Sequence, residues 1–309
     1  MKSDEEMEVK SFKDMSIYRD IFIWLFCLLV LPIIILSVSY AIKIPANKID
    51  SVNDEKLTTI IQETNSSLMK KISLKKYKNS LCNDGSPASY YLRKTKSSNW
   101  IVVLEGGFFC YDIVSCKQRY ENSFNLTSSK SNREFKTGTG ILSTSIDENK
   151  HFHNANLVNI PYCSSDLWIG NSNGDNSNES FKFKGSQIIE DVLTDLLNNY
   201  QMKESKNIIL SGISAGGIGL ILNLNKIKEK LEVNAHNAKL KAILDSSWFI
   251  DLPYSYLCNS NLNDDNCLIR KILTDSIRYW NASFECKTTD NIIDCFLPDK
   301  LIKSIKSKY

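Results

Sequence analysis

Apolar positions along this chain fall into short unbroken runs, one long amphipathic segment and one very long apolar stretch. Trp100–Leu104, Asn156–Ile160, Asn207–Leu210 and Leu240–Leu244 are near-continuous runs of strand length. Runs without polar alternation suit strands covered on both faces, as in a parallel sheet. Tyr90–Arg93 follows the turn Asp84-Gly85-Ser86-Pro87 and is predicted as a first strand. Phe183–Tyr200 carries Ile188, Ile189, Val192, Leu193, Leu196 and Leu197 at helical spacing, a core-facing stripe. A second helix is expected from beyond Gly216 through Leu231. Strand, helix, strand, helix, strand is the order of an α/β doubly wound sheet, with the four runs as parallel neighbours. Its site is then expected at the C-terminal ends of the strands.

The very long stretch is Ile21–Ile42, an uncharged run of 22 residues. That length spans a hydrocarbon core as a helix, and Pro32 within it is tolerated there. An acidic leader with Asp4, Glu5, Glu6 and Glu8 favours an uncleaved signal anchor over its rival, a cleaved signal peptide. The expected organisation is a cytoplasmic tail over 1–20, the span over 21–42, a lysine-rich stem over 43–80 and the folded domain over 81–309. A short helix over Glu55–Ile72 is an alternative to a plain spacer in the stem. Eight of the nine cysteines lie beyond the span, as do the N-x-S/T sequons at Asn65, Asn125, Asn178 and Asn281. An even cysteine count there fits disulfides in an oxidising compartment, so the domain is expected to be lumenal or extracellular. No C-x-x-C pairs or His–Cys clusters suggest a metal. The net charge of +3 gives no basic field for nucleic acid.

Candidate chemistry centres on Asn207–Gly217. Within it, Gly212-Ile213-Ser214-Ala215-Gly216 is a G-x-S-x-G. Such a pattern forms a nucleophile elbow where a strand runs into it and a helix leaves it. The strand is expected to break at Ser211–Gly212. Small residues also collect in ordinary strand–helix turns, so the motif needs support. Support comes from Gly106-Gly107, directly after the Trp100–Leu104 strand, where backbone can approach a ligand and complete an oxyanion hole. Cys110 and Cys116 bracket the following loop, which a local disulfide would clamp.

Residues 105–110 (EGGFFC) with a cysteine six residues on, 154–168 (NANLVNIPYCSSDLW), 212–217 (GISAGG), 243–251 (ILDSSWFID) and 277–281 (IRYWN) occur in this order. Together they resemble the pectinacetylesterase/Notum family of α/β-hydrolase carboxylesterases, the Notum-like branch in particular. The likeness covers about Leu81–Phe296. It implies a secreted or lumenal serine carboxylesterase that removes acyl groups from a polysaccharide or a lipidated protein, with no cofactor. Carried over by motif, Ser214 is the nucleophile and the amides of Gly107, Phe108 and Ala215 form the oxyanion hole. Phe109, Trp168 and Trp248 are implied to line the substrate pocket. Phe108-Phe109 replaces a Trp-Tyr pair of the Notum branch, which alters the acyl-pocket wall.

The family's triad acid and histidine follow the RYWN segment, and here the sequence runs only to Tyr309. The histidines present are His151, His153 and His236, none at an expected base position. Asp245 and Asp251 match motif positions near the site rather than the triad acid. Two readings therefore stay open: an esterase whose C-terminal part is absent from this sequence, and a membrane-anchored pseudoenzyme or acyl-binding protein.

Overall fold

The computed structural model describes residues 67–174, 180–248, 269–282, 284 and 292–297. Among the described residues seven strands form one mixed sheet: β1 (Leu68–Ser73), β2 (Ser89–Arg93), β3 (Asn99–Leu104), β4 (Phe135–Thr137), β5 (Asn156–Ile160), β6 (Asn207–Ile213) and β7 (Lys239–Asp245). Their order across the sheet is β4-β1-β2-β5-β3-β6-β7. The four predicted apolar runs are the parallel neighbours β5, β3, β6 and β7. The β4, β1 and β2 extension is antiparallel and joins at β5.

The helices are α1 (Ile113–Asn122), α2 (Gly185–Asn199), α3 (Ala215–Asn234) and α4 (Ile269–Tyr279). The stripe expected on α2 is buried throughout and packs with Ile218, Leu220 and Leu222 of α3. Trp100, Val102 and Leu104 of β3 and Ile208 and Leu210 of β6 meet this layer. The opposite face of the same strands carries Ile101, Val103, Leu157 and Ile209. Met69 of β1 and Tyr91 of β2 extend this face, and among the described residues Leu142, Ala155 and Phe152 pack over it.

Three expectations need correction. The sheet starts inside the predicted stem, because Leu68–Ser73 pairs with β2 and β4 and buries Met69 completely. β6 does not break at Ser211–Gly212. Its ladders with β3 and β7 hold Gly212 opposite Leu104 and Leu244, so the strand runs on to Ile213. Among the described residues, the helices expected on both faces of the sheet are found on one. The buried apolar side chains of all four described helices belong to a single core cluster, and a loop and a short 3-10 turn at Gly140–Leu142 cover the other face. That cover stops short of β7, where Ile243, in line with Ser211 and Val103 on this face, is 42% exposed on an edge strand of the described sheet. The predicted span Ile21–Ile42 lies outside the described residues, as does Asp251. Among the described residues no helix is long and apolar enough to cross a membrane.

Two disulfides have both partners among the described residues. Cys110–Cys116 is the local clamp expected from the sequence. Cys82–Cys163, 81 residues apart, fastens the segment before β2 to the one after β5. Cys295 is also disulfide-bonded.

Candidate active site

β6 ends at Ile213 and α3 begins at Ala215, which leaves Ser214 alone to turn the chain. Its backbone sits at φ 52°, ψ −118°, a conformation that side chains rarely adopt and that surrounding structure must impose. That surround is visible. The Ser214 N–H donates to the Asp245 carbonyl at 2.8 Å. The Ser214 carbonyl accepts from Gly217 N–H at 2.9 Å and from the Ser247 hydroxyl at 3.0 Å. The flanking glycines are required by close approach. A Cβ on Gly212 would lie 2.3 Å from the Gly216 carbonyl oxygen, and one on Gly216 would lie 2.2 Å from that of Leu104. Strand and helix can therefore meet this tightly only if both positions lack side chains.

The Glu105–Cys110 turn lies directly against this elbow. A Cβ on Gly106 would fall 2.9 Å from Ser214 Cβ and 2.4 Å from the Ile213 carbonyl oxygen. Gly107 has φ 146° and Phe108 φ 61°, so a second strained position faces the first. Among the described residues, the N–H groups of Gly107, Phe108 and Ala215 donate to no backbone carbonyl. Free backbone donors, on a turn that packs against the half-buried Ser214 and at the helix start, are the type of group that a developing oxyanion requires.

Several contacts hold this turn. The Glu105 N–H donates to the Ile160 carbonyl at 3.1 Å, and the Trp168 indole donates to the Glu105 carbonyl at 3.0 Å. Lys136 pairs with the Glu105 carboxylate and donates to Asn159 Oδ1 at 2.8 Å. The Trp280 indole donates to the Cys110 carbonyl at 2.9 Å, and Cys110 N–H donates to the Ser165 carbonyl at 3.1 Å. Arg119 of α1 donates to the Gly107 carbonyl and, at 2.7 Å, to Ser165 Oγ.

A buried carboxylate organises the neighbouring Ser164–Ile169 turn. Asp166 accepts from Ser164 Oγ at 2.6 Å, Gly185 N–H at 2.8 Å and Trp168 N–H at 3.0 Å. Complete burial pushes its pKa up to about 6 despite these donors. Ser165, Leu167 and Trp168 all take positive φ around it.

The proposed pocket residues divide. Trp168 is fully buried, stacked near Tyr162 and against Gly219, so it supports the turn from beneath rather than lining an open pocket. Phe109 is also buried, stacked on Phe108 at 4.3 Å and edge-on to Trp280. Trp248 is 59% exposed past the end of β7. Asp245 stands at the end of β7, exposed, with its carbonyl on the Ser214 N–H.

All three histidines lie at the far end of the sheet. His236 precedes Lys239, which pairs with Asn207 at the start of β6. His151 and His153 precede β5, whose first residue pairs in line with Trp100 and Ile208. Ser214 is at the other end of those strands. Ser165 and Trp280 lie within the quoted motifs but carried no assigned role there, and Arg119 and Lys136 lie outside every motif. The signal available for Arg119 was the short Cys110–Cys116 loop, which folds α1 back over the glycine pair.

The family model for pectinacetylesterase matches residues 61–309. Over 203 residues the chain is 42% identical to the palmitoleoyl-protein carboxylesterase notum1a of Danio rerio, covering 65% of this chain and 40% of that protein. It is 38% identical over 233 residues to the palmitoleoyl-protein carboxylesterase notum2 of Xenopus laevis, 73% of this chain and 47% of that one. To the palmitoleoyl-protein carboxylesterase NOTUM of Homo sapiens it is 40% identical over 203 residues, 65% of this chain and 40% of that one. The chain spans about half the length of the curated relatives it matches.

Proposed function

The chain belongs to the pectinacetylesterase family, and we propose that it is a serine carboxylesterase of the Notum-like branch acting through Ser214. The observation that carries this reading is the strained Ser214 at a strand–helix junction, with the unused N–H groups of Gly107, Phe108 and Ala215 around it. In this reading Ser214 Oγ attacks an ester carbonyl and the three amides hold the resulting oxyanion. Collapse expels the alcohol and leaves an acyl-serine, which water then hydrolyses to the free acid. The mechanism needs no metal or cofactor.

The substrate class follows from two sources. The relatives are named as palmitoleoyl-protein carboxylesterases, which favours a fatty acyl ester on a protein over an acetyl group on a polysaccharide. Half-buried Phe108, backed by the buried Phe109 ring at 4.3 Å, gives the turn an aromatic surface suited to an acyl chain. We place the domain in an oxidising lumen or outside the cell, anchored through residues 21–42. Its disulfides and the exposed sequon residues Asn125 and Asn281 support that location.

A second reading, acyl binding without turnover, is favoured by one observation. None of the three histidines in the sequence is at the Ser214 end of the sheet, so an imidazole base would have to come from outside this sequence. The deciding experiment is hydrolysis of p-nitrophenyl acetate and octanoate by the 309-residue chain and by the longest product of the same gene, each beside Ser214→Ala. The esterase reading expects strong Ser214-dependent turnover in the longer product and a weak residual in the shorter. Saturable octanoate binding with no Ser214-dependent turnover in either would leave the binding protein.

A further inference from the structure

We infer that Arg119 is a positioning residue for the oxyanion hole, holding the Gly107–Phe108 peptide in the one orientation that leaves the Phe108 N–H free for an oxyanion. The inference rests on the esterase reading of Ser214.

The peptide has two orientations open to it. Glycine tolerates almost any backbone angle, so Gly107 imposes none. Phe108 does have a preference, and the structure opposes it. At φ 61° a phenylalanine is strained. A flip of the peptide between Gly107 and Phe108 turns the φ of Phe108 by about 180°, into the broad region that side chains favour. Left alone, the peptide would relax by that flip, and its carbonyl oxygen would take the place of the N–H. An oxygen there would repel an oxyanion.

Something must therefore hold the carbonyl on the other side, and Arg119 does. Its guanidinium donates to the Gly107 carbonyl and to Ser165 Oγ, and it sits 5.9 Å from the Tyr162 ring centroid. In a trans peptide C=O and N–H point in opposite directions, so a carbonyl fixed on Arg119 sends the Phe108 N–H away from it. Among the described residues no carboxylate pairs with Arg119. A half-buried guanidinium with only neutral acceptors among the described residues is a costly arrangement, and there its charge is not neutralised by a counter-ion. That charge polarises the peptide through its carbonyl and strengthens the Phe108 N–H as a donor. The sequence places Arg119 for this role. Cys110–Cys116 and the Asp112 cap fix the start of α1, and Arg119 follows one turn after Cys116. Lysine would substitute only in part, since its point charge lacks the planar fork that holds the two acceptors in a fixed geometry.

Gly107–Phe108 is the sole Gly-Phe pair in the sequence. Labelling with carbonyl-13C glycine and 15N phenylalanine therefore yields a single carbonyl-to-amide correlation, from that peptide. In Arg119→Ala the carbonyl resonance should move upfield as its hydrogen bond is lost. Ser214-dependent hydrolysis of p-nitrophenyl octanoate should fall about tenfold to a hundredfold in kcat with KM unchanged. Added guanidinium should restore both, and Arg119→Lys should be intermediate in both. An unmoved resonance in Arg119→Ala and Arg119→Lys would overturn the inference, as would a moved resonance with unchanged Ser214-dependent kcat. If the longest product of the gene and its Ser214→Ala variant hydrolyse the ester equally, the esterase reading fails, and the catalytic role of Arg119 falls with it.

Discussion

Replacing the three histidines one at a time tests whether the sheet has been read in the right direction. The strands fix the distances. β7 is seven residues long and runs parallel to β6, with Lys239 opposite Asn207 and Asp245 opposite Ile213. At about 3.3 Å per residue, His236 stands roughly 20 Å or more from Ser214. His153 precedes the five-residue β5, two strands from β6, which gives a separation of about 20 Å by the same spacing. A general base has to come within about 3.2 Å, or one water further. Loss of a true catalytic imidazole costs about 10⁴–10⁶-fold in turnover. His151→Ala, His153→Ala and His236→Ala should instead leave Ser214-dependent hydrolysis of p-nitrophenyl octanoate within about twofold of the parent, since none touches the site. The pH profile makes an independent check. An imidazole base gives an inflection near pH 6.5, whereas unassisted serine attack rises steadily as hydroxide increases. The assay is the rate difference between the chain and Ser214→Ala from pH 5.5 to about 9.5, the upper limit set below serine ionisation. A profile with an inflection near neutrality that one histidine substitution abolishes, together with a loss beyond about a hundredfold, would refute the reasoning.

Three further outcomes follow from the same geometry. Cys82→Ser with Cys163→Ser opens a loop with a sequence separation of 81, and the chain-entropy estimate puts the loss near 4.5 kcal/mol; urea unfolding under oxidising conditions should show a large drop, and an unchanged midpoint would deny the link any stabilising role. Gly216→Ala sets a Cβ at 2.2 Å from the Leu104 carbonyl oxygen and 2.8 Å from that of Glu105, backbone that cannot yield cheaply. A loss of about 1–3 kcal/mol is expected, with Ser214-dependent turnover falling alongside it. Asp166 is raised by burial to about 6, so the stability its protonated form contributes is complete below about pH 4 and is lost as pH rises through 6. The stability of the parent relative to Asp166→Asn should therefore fall by up to about 3 kcal/mol between pH 4 and 7, measured by denaturant titration at each pH; a difference that rises over that window would reverse the assigned shift.

Much of this architecture is local information. The four parallel strands are legible because each is a continuous apolar run, and the α2 stripe because its period is helical. The elbow is legible because steric demands at Gly212 and Gly216 leave a pattern in the residues themselves. β1 was hidden because LMKKIS places lysines on an antiparallel strand that buries little beyond Met69, so its pattern is that of a solvated spacer. The continuation of β6 through Gly212 was hidden for a different reason: pairing with β3 and β7 on either side overrides a poor strand residue.

Sequence also decided that Ser214, the glycine pair and the Cys110–Cys116 loop were the residues to watch, since each is a contiguous motif. Tertiary structure decided how they are held. Arg119 reaches the Gly107 carbonyl across 12 residues, Trp168 reaches Glu105 across 63 and Trp280 reaches Cys110 across 170. No local pattern encodes such contacts, because they depend on where packed elements meet. The same holds for the histidines. Their positions in the chain say nothing of distance from Ser214, and only the parallel direction of β5, β6 and β7 puts them at the opposite end of the sheet.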